Sequence, residues 1–151
     1  MTEYFFYHLL RRRLEEALPD LLQRTLARGW RAVVMASGPE RVEALNGHLW
    51  TFSRDAFLPH GSKADGRAAE QPVWLTDRDE NPNGASVLFL TEGMETATPG
   101  TYERVCDLFD GQDEAAVAAA RERWKRAKAA GLKLTYWQEN ERGGFEKKAE
   151  S

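Results

Sequence analysis

Apolar positions along this chain fall either into short dense runs or into helical stripes, and their alternation predicts most of the elements. Tyr4-Phe5-Phe6-Tyr7-His8-Leu9 is a short aromatic run that reads as a buried strand. Leu14, Leu18, Leu21, Leu22, Thr25 and Leu26 then recur at helical spacing, with Gly29 as a stop signal. Pro19 lies inside that stripe and predicts either a kink or a helix that starts near it. Arg31 to Ala36 reads as a second strand, and Ser37-Gly38-Pro39-Glu40 as a capped helix start with proline in its first turn. That helix is expected to run to about Phe52, with Val42, Leu45, Leu49 and Phe52 on one face.

The pattern then breaks. Residues 53–71 show no sustained period and read as a long surface loop. Strands are predicted at Pro72 to Thr76, Ser86 to Thr91 and Glu103 to Phe109, with Asn81-Pro82-Asn83-Gly84 as a turn between the first two. Residues 113–130 form the strongest helix signal, rich in alanine and ended by Gly131. Leu132 to Trp137 alternates as a last strand on a sheet edge, and the polar segment 138–151 is expected to be a loosely ordered tail. Strands alternating with helices imply an α/β fold, a single three-layer domain over 1–137 with a mainly parallel sheet.

Composition narrows the function classes more than it selects one. The chain has 151 residues, of which 42% are hydrophobic and 30% charged, and a net charge of −3. Chains of this size hide roughly 68–70% of their unfolded surface, enough for one real core. The charge balance excludes a protein that coats nucleic acid or membrane, so any basic patch is local. A single cysteine, Cys106, rules out an internal disulfide and fits a reducing compartment. The basic Arg11–Arg13 follows the apolar start rather than preceding it, the reverse of a secretory signal, and no run reaches membrane-span length. A cytoplasmic protein is expected.

Enzyme motifs do not emerge. A dinucleotide site needs glycines at the first strand-to-helix turn, and here that turn is Leu10-Arg11-Arg12-Arg13. Gly61-Ser62-Lys63 has phosphate-loop letters in the wrong order. His8, His48, His60 and Cys106 share no metal-ligand spacing, and His8 reads as a satisfied structural histidine. No catalytic residue, cofactor or metal is expected.

Two features stand out. From Arg121 to Lys128 the last helix carries Arg121, Arg123, Lys125, Arg126 and Lys128 against one acid, Glu122. Cations near a helix C-terminus suit its dipole, so a solvated face remains one reading. The other is a site: Val117, Arg121, Trp124, Lys125 and Lys128 fall on one stripe, while Ala116, Ala119, Ala120, Ala127 and Ala130 offer a small surface for close packing. An aromatic flanked by cations suits an acidic peptide bearing an apolar side chain. It equally suits single-stranded nucleic acid, by stacking and phosphate contact. The second feature is Trp50, off the apolar face of its helix and followed by Phe57-Leu58-Pro59. These residues are either interface anchors or a satellite cluster under a folded-back loop.

In their order and spacing these residues resemble the chi subunit of bacterial DNA polymerase III. The resemblance rests on Phe6-Tyr7-His8-Leu9, Gly29-Trp30-Arg31, Leu49-Trp50 with Phe57-Leu58-Pro59-His60, Asn81-Pro82-Asn83-Gly84, Leu108-Phe109-Asp110-Gly111, and Arg121-Glu122-Arg123-Trp124-Lys125 followed by Gly131. It reaches to about Trp137. It implies a Rossmann-like fold without nucleotide chemistry and a non-catalytic protein, associated with the clamp loader, that binds the acidic C-terminal tail of single-stranded DNA-binding protein. By that likeness Arg121 grips the terminal carboxylate and Lys125 the acidic side chains. Trp124, Val117 and Phe109 wall the apolar pocket, with Lys128 at its edge. Trp50, Phe57 and Leu58 correspond to a second surface that meets the psi subunit or a helicase. One cation found in some relatives is replaced here by Val117. Direct single-strand binding and, further off, a nucleotide-dependent α/β enzyme are the rival readings.

Overall fold

The computed structural model describes residues 2–52 and 58–151. Phe57 therefore lies outside the described residues. Eight strands form one sheet in the order β3-β4-β2-β5-β6-β1-β7-β8. In chain order the elements are β1 (Glu3–Leu9), α1 (Leu14–Ala27), β2 (Ala32–Met35), α2 (Pro39–Thr51), β3 (Gly61–Ser62), β4 (Val73–Thr76), β5 (Val87–Thr91), β6 (Arg104–Asp110), α3 (Glu114–Ala129), β7 (Lys133–Glu139) and β8 (Phe145–Glu150). Every pairing is parallel except the last, between β7 and β8.

Strand alternation sorts the core. Phe5, Tyr7, Val34, Leu75, Phe89 and Leu108 face α1 and α2, which press Leu18, Leu22, Leu45 and Leu49 onto them. Tyr4, Phe6, Val33, Leu88, Val105 and Phe109 face the other way, toward Ala120 and Ala127 of α3. Both faces of a mainly parallel sheet are thus covered by helices, which parallel strands require because neither face is polar.

Local chemistry explains the element ends. Helix α1 starts at Leu14 and runs through Pro19 rather than beginning near it, and its side chain is buried with the apolar stripe. Its end is set by Gly29, whose φ of 81° lets the chain turn so that the Trp30 amide donates back to the Thr25 carbonyl. The cap of α2 is Gly38, not Ser37, with Pro39 opening the first turn.

Two expectations are corrected. The described part of the long surface loop is not all surface: Leu58, His60, Gly61 and Ser62 are buried, and Gly61–Ser62 pairs with β4. The polar tail is not loose, and β7 is not the edge. Residues 145–150 form β8 and pair with β7, because the turn after Glu139 is tied by Asn140, whose side-chain oxygen accepts from the Arg142 and Gly144 amides. Phe145, edge-on to Tyr7 at 4.8 Å, gives the hairpin its apolar hold on the sheet.

Candidate functional site

Helix α3 is positioned by its own sequence. Asp113 caps it, accepting from the Ala115 and Ala116 amides at 3.0 and 3.2 Å. Ala120 and Ala127 let the backbone lie close to β1, β6 and β7. On that same inward face Arg123 reaches the sheet and forks onto Asp107 of β6, at 2.6 and 3.0 Å. Burial pushes the Asp107 carboxyl up, and the Arg123 guanidinium opposes the rise. Arg123 is therefore not part of the exposed basic surface that its neighbours suggest.

One turn round, the stripe assembles. Trp124 lies half-buried, its ring 5.4 Å from Phe6 and 5.8 Å from Tyr136. Val117 is half-buried in the same cluster. Phe109 is buried, 5.0 Å from the His8 ring and 6.1 Å from Tyr136. Arg121 is exposed and close enough to His8 and Tyr136 for its charge to lower the pKa of each, and among the described residues no carboxylate pairs with it. Lys125 is exposed and held by Glu122 at 3.3 Å, while Lys128 is exposed a turn beyond Trp124. The fold thus brings Arg121, Trp124, Val117 and Phe109 together, with Lys125 and Lys128 flanking. An exposed cation beside half-buried rings can hold an anion attached to an apolar group.

His8 and Tyr136 complete the cluster, and spacing alone did not single them out. They belong to neighbouring strands, 128 positions apart, and His8 Nδ1 lies 2.6 Å from the Tyr136 hydroxyl. The signal was available in β1, where Tyr4, Phe6 and His8 alternate onto one face. Its Nε2 is buried against Gly111 and makes no hydrogen bond of normal geometry, though the Gly111 backbone beside it still favours a proton there. Burial lowers its pKa and Arg121 lowers it further, against an opposite pull from Gly111 and Asp110.

On the other side of α3 lies a cleft of about 890 Å³, outside the carboxyl ends of β1 and β6. The chain leaves β1 through α1 in one direction and β6 through α3 in the other, so this is the point where α/β sheets place nucleotides. Here its anion positions are filled from within. The Glu139 carboxylate takes the Leu10, Arg11 and Arg12 amides at 3.0, 2.7 and 3.0 Å, and Arg12 Nε at 2.6 Å. Burial alone would raise the Glu139 pKa, but the Arg12 guanidinium and these amides bring it below the ordinary value. Glu16 accepts from the Arg13 amide, Asp113 caps α3, and Arg41 is held by Glu15 and Glu92 at 2.9 Å each. The missing glycine in the first turn thus has a structural counterpart.

The second surface divides. Trp50 is 53% exposed, its ring 4.6 Å from that of His60. Leu58 is buried among α2 and sheet residues, so it is core rather than surface. His60 Nε2 faces the Asn46 carbonyl and Nδ1 that of Leu58, which folds this segment back under α2.

Comparison with known proteins identifies the family. Residues 1–135 match the family model described as DNA polymerase III chi subunit, HolC. A curated relative, "Probable DNA polymerase III subunit chi" of Rickettsia prowazekii (strain Madrid E), is 35% identical over 97 residues. That match covers 64% of this chain and 59% of the relative's length. With the match spanning all strands through the start of β7 and the whole of α3, the chain belongs to the DNA polymerase III chi subunit family.

Proposed function

We propose that this chain is a non-catalytic, cytoplasmic replisome accessory subunit that binds the acidic C-terminal tail of single-stranded DNA-binding protein and links it to the polymerase III clamp loader. The observation that carries this reading is Arg121 standing exposed, without a carboxylate partner among the described residues, on the α3 stripe that carries Trp124 and close enough to Tyr136 for its charge to act on that hydroxyl. Arg121 takes the tail's terminal carboxylate, the rings and Val117 take its last apolar side chain, and Lys125 and Lys128 take acidic side chains further back. Helices on both faces of the sheet support a three-layer, Rossmann-like reading of the fold, with its nucleotide cleft filled by the chain's own carboxylates. The exposed Trp50 supports a second partner surface, meeting psi or a helicase. Among the described residues no helix is long and apolar enough to cross a membrane.

The test is a calorimetric titration of an acidic peptide ending in phenylalanine, with affinity expected on the order of micromolar and weakened by salt. Arg121→Ala should lower that affinity about tenfold or more, the equivalent of one charge-assisted bond. No binding, or equal affinity for both proteins, overturns the assignment. Tight binding of a labelled oligonucleotide through the same stripe, with no response to peptide, would favour the nucleic-acid reading instead.

A further inference from the structure

His8 is held so that only its protons can change. A Cβ on Gly111 would strike the Cδ2–Nε2 edge of the His8 ring and the Leu9 carbonyl, so that edge lies close against the turn, and the Phe109 ring is tilted beside it at 5.0 Å. Its Nδ1 faces the Tyr136 hydroxyl at 2.6 Å. A neutral imidazole has one N–H. With that proton on Nε2, the Nδ1 lone pair accepts the Tyr136 O–H, and the hydroxyl has no donor left to offer. With a proton on Nδ1, the imidazole donates to the Tyr136 oxygen, and the tyrosine O–H is free to rotate outward.

Tyr136 is half-buried beside Trp124 and Phe109, and near enough to Arg121 for that charge to counter the rise that burial imposes on its hydroxyl. The groups facing His8 are Arg121 from α3, Asp110 and the Gly111 backbone after β6, and Tyr136 from β7. A ligand carboxylate at Arg121 would offset the one cation that opposes charge on His8.

We infer that Tyr136 is a further anion-binding donor of the slot and that His8 is its positioning residue, releasing the tyrosine hydroxyl to a ligand carboxylate when Nδ1 carries a proton. This rests on the peptide-slot reading. The Gly111 backbone against the Nε2 edge keeps the neutral ring's one proton on Nε2, so a proton on Nδ1 is a second one and binding is proton-linked. The complex favours protonated His8 more than the free protein does, so binding takes up protons and tightens as pH falls through the histidine range.

The experiment is calorimetric titration of the same peptide between about pH 8 and pH 5.5, in two buffers of different ionisation enthalpy. Peptide carboxylates titrate mostly below this window. Wild type should bind about three- to tenfold more tightly at the lower pH, with net proton uptake. Tyr136→Phe should lose about that factor at low pH and become flat. His8→Asn, whose carboxamide stands near the Nδ1 position and does not titrate, should also be flat while still binding. Wild-type binding without pH dependence or proton uptake, which needs no variant, overturns the inference while the slot stands. A pH dependence that survives His8→Asn overturns it too. No binding at any pH overturns both.

Discussion

The two sides of α3 differ in how their cations are used. On one side is the larger cavity, rimmed by Arg11, Arg12, Arg13, Arg41 and Arg123. Arg12, Arg41 and Arg123 are each held by a carboxylate of the chain at 2.6 to 2.9 Å, and Glu139 also takes the backbone amides after β1, while Arg11 and Arg13 are exposed at the rim. On the other side is a group of rings, and Arg121 beside Tyr136 has no carboxylate partner among the described residues. Cavity volume favours one side and the proposed slot lies on the other. Internal neutralisation separates them, because an arginine already bonded to a buried carboxylate has little left for a ligand.

The comparison can be broken first at its strongest bond. Asp107→Asn leaves Arg123 buried without its counter-charge and should cost about 3–5 kcal/mol in chemical denaturation. Affinity for the peptide, measured on the folded fraction, should stay within about twofold, since this pair belongs to the scaffold. A stable variant with lost affinity would mean that Arg123 serves the slot.

Next is Glu139→Gln, expected to cost about 2–3 kcal/mol through lost charge-assisted bonds. The sign with pH follows from a folded pKa held below the ordinary 4.5. The stabilisation is complete above that value and drains away as pH falls through the lower, folded one. Wild type and variant should therefore converge in stability only once the pH is below that folded value. A gap that persists in acid would show that packing, not charge, makes the contact.

Trp124→Ala sharpens the other side. Removing a half-buried anchor ring should weaken peptide binding about tenfold or more, as a central hot spot does. Lys125→Ala is the smallest effect, about twofold in affinity and less than about 0.5 kcal/mol in stability, because both it and Glu122 are exposed. A large Lys125 effect would shift the slot's centre toward the helix C-terminus.

Much of this arrangement was readable from residue order, and the exceptions have physical causes. The inward face of α3 was legible in part: Ala120 and Ala127 lie on it as expected, while Ala119 and Ala130, read as part of the same packing surface, are exposed. The same spacing places Arg123 between Ala120 and Ala127 on that face, and so marks it as buried, but its partner Asp107 lies in another element and leaves no local trace. Strand β8 was missed because it is an edge strand with five of its six residues exposed, and only Phe145 meets the core. Such a strand has no buried face to impose alternation, and its charges keep the open edge from pairing with other chains. Leu58 was misplaced because a loop reading ignores tertiary return: the segment doubles back through His60 onto α2. Glu139 and His8 act through backbone amides and a cross-strand hydroxyl, contacts that depend on register between distant strands.

The place of β1 has a consequence for biosynthesis. Of the strands of this sheet it leaves the ribosome first, yet it pairs with β6 and β7, which emerge after β5. Between the emergence of Leu9 and that of Arg104 the ribosome needs on the order of 5–20 s at about 5–20 residues per second. Throughout that wait the aromatic run from Tyr4 to Tyr7 has neither neighbour. The nascent chain carries its stickiest segment unpaired for most of its synthesis, so its yield in the cell should depend on holdase chaperones more than its folded stability would suggest.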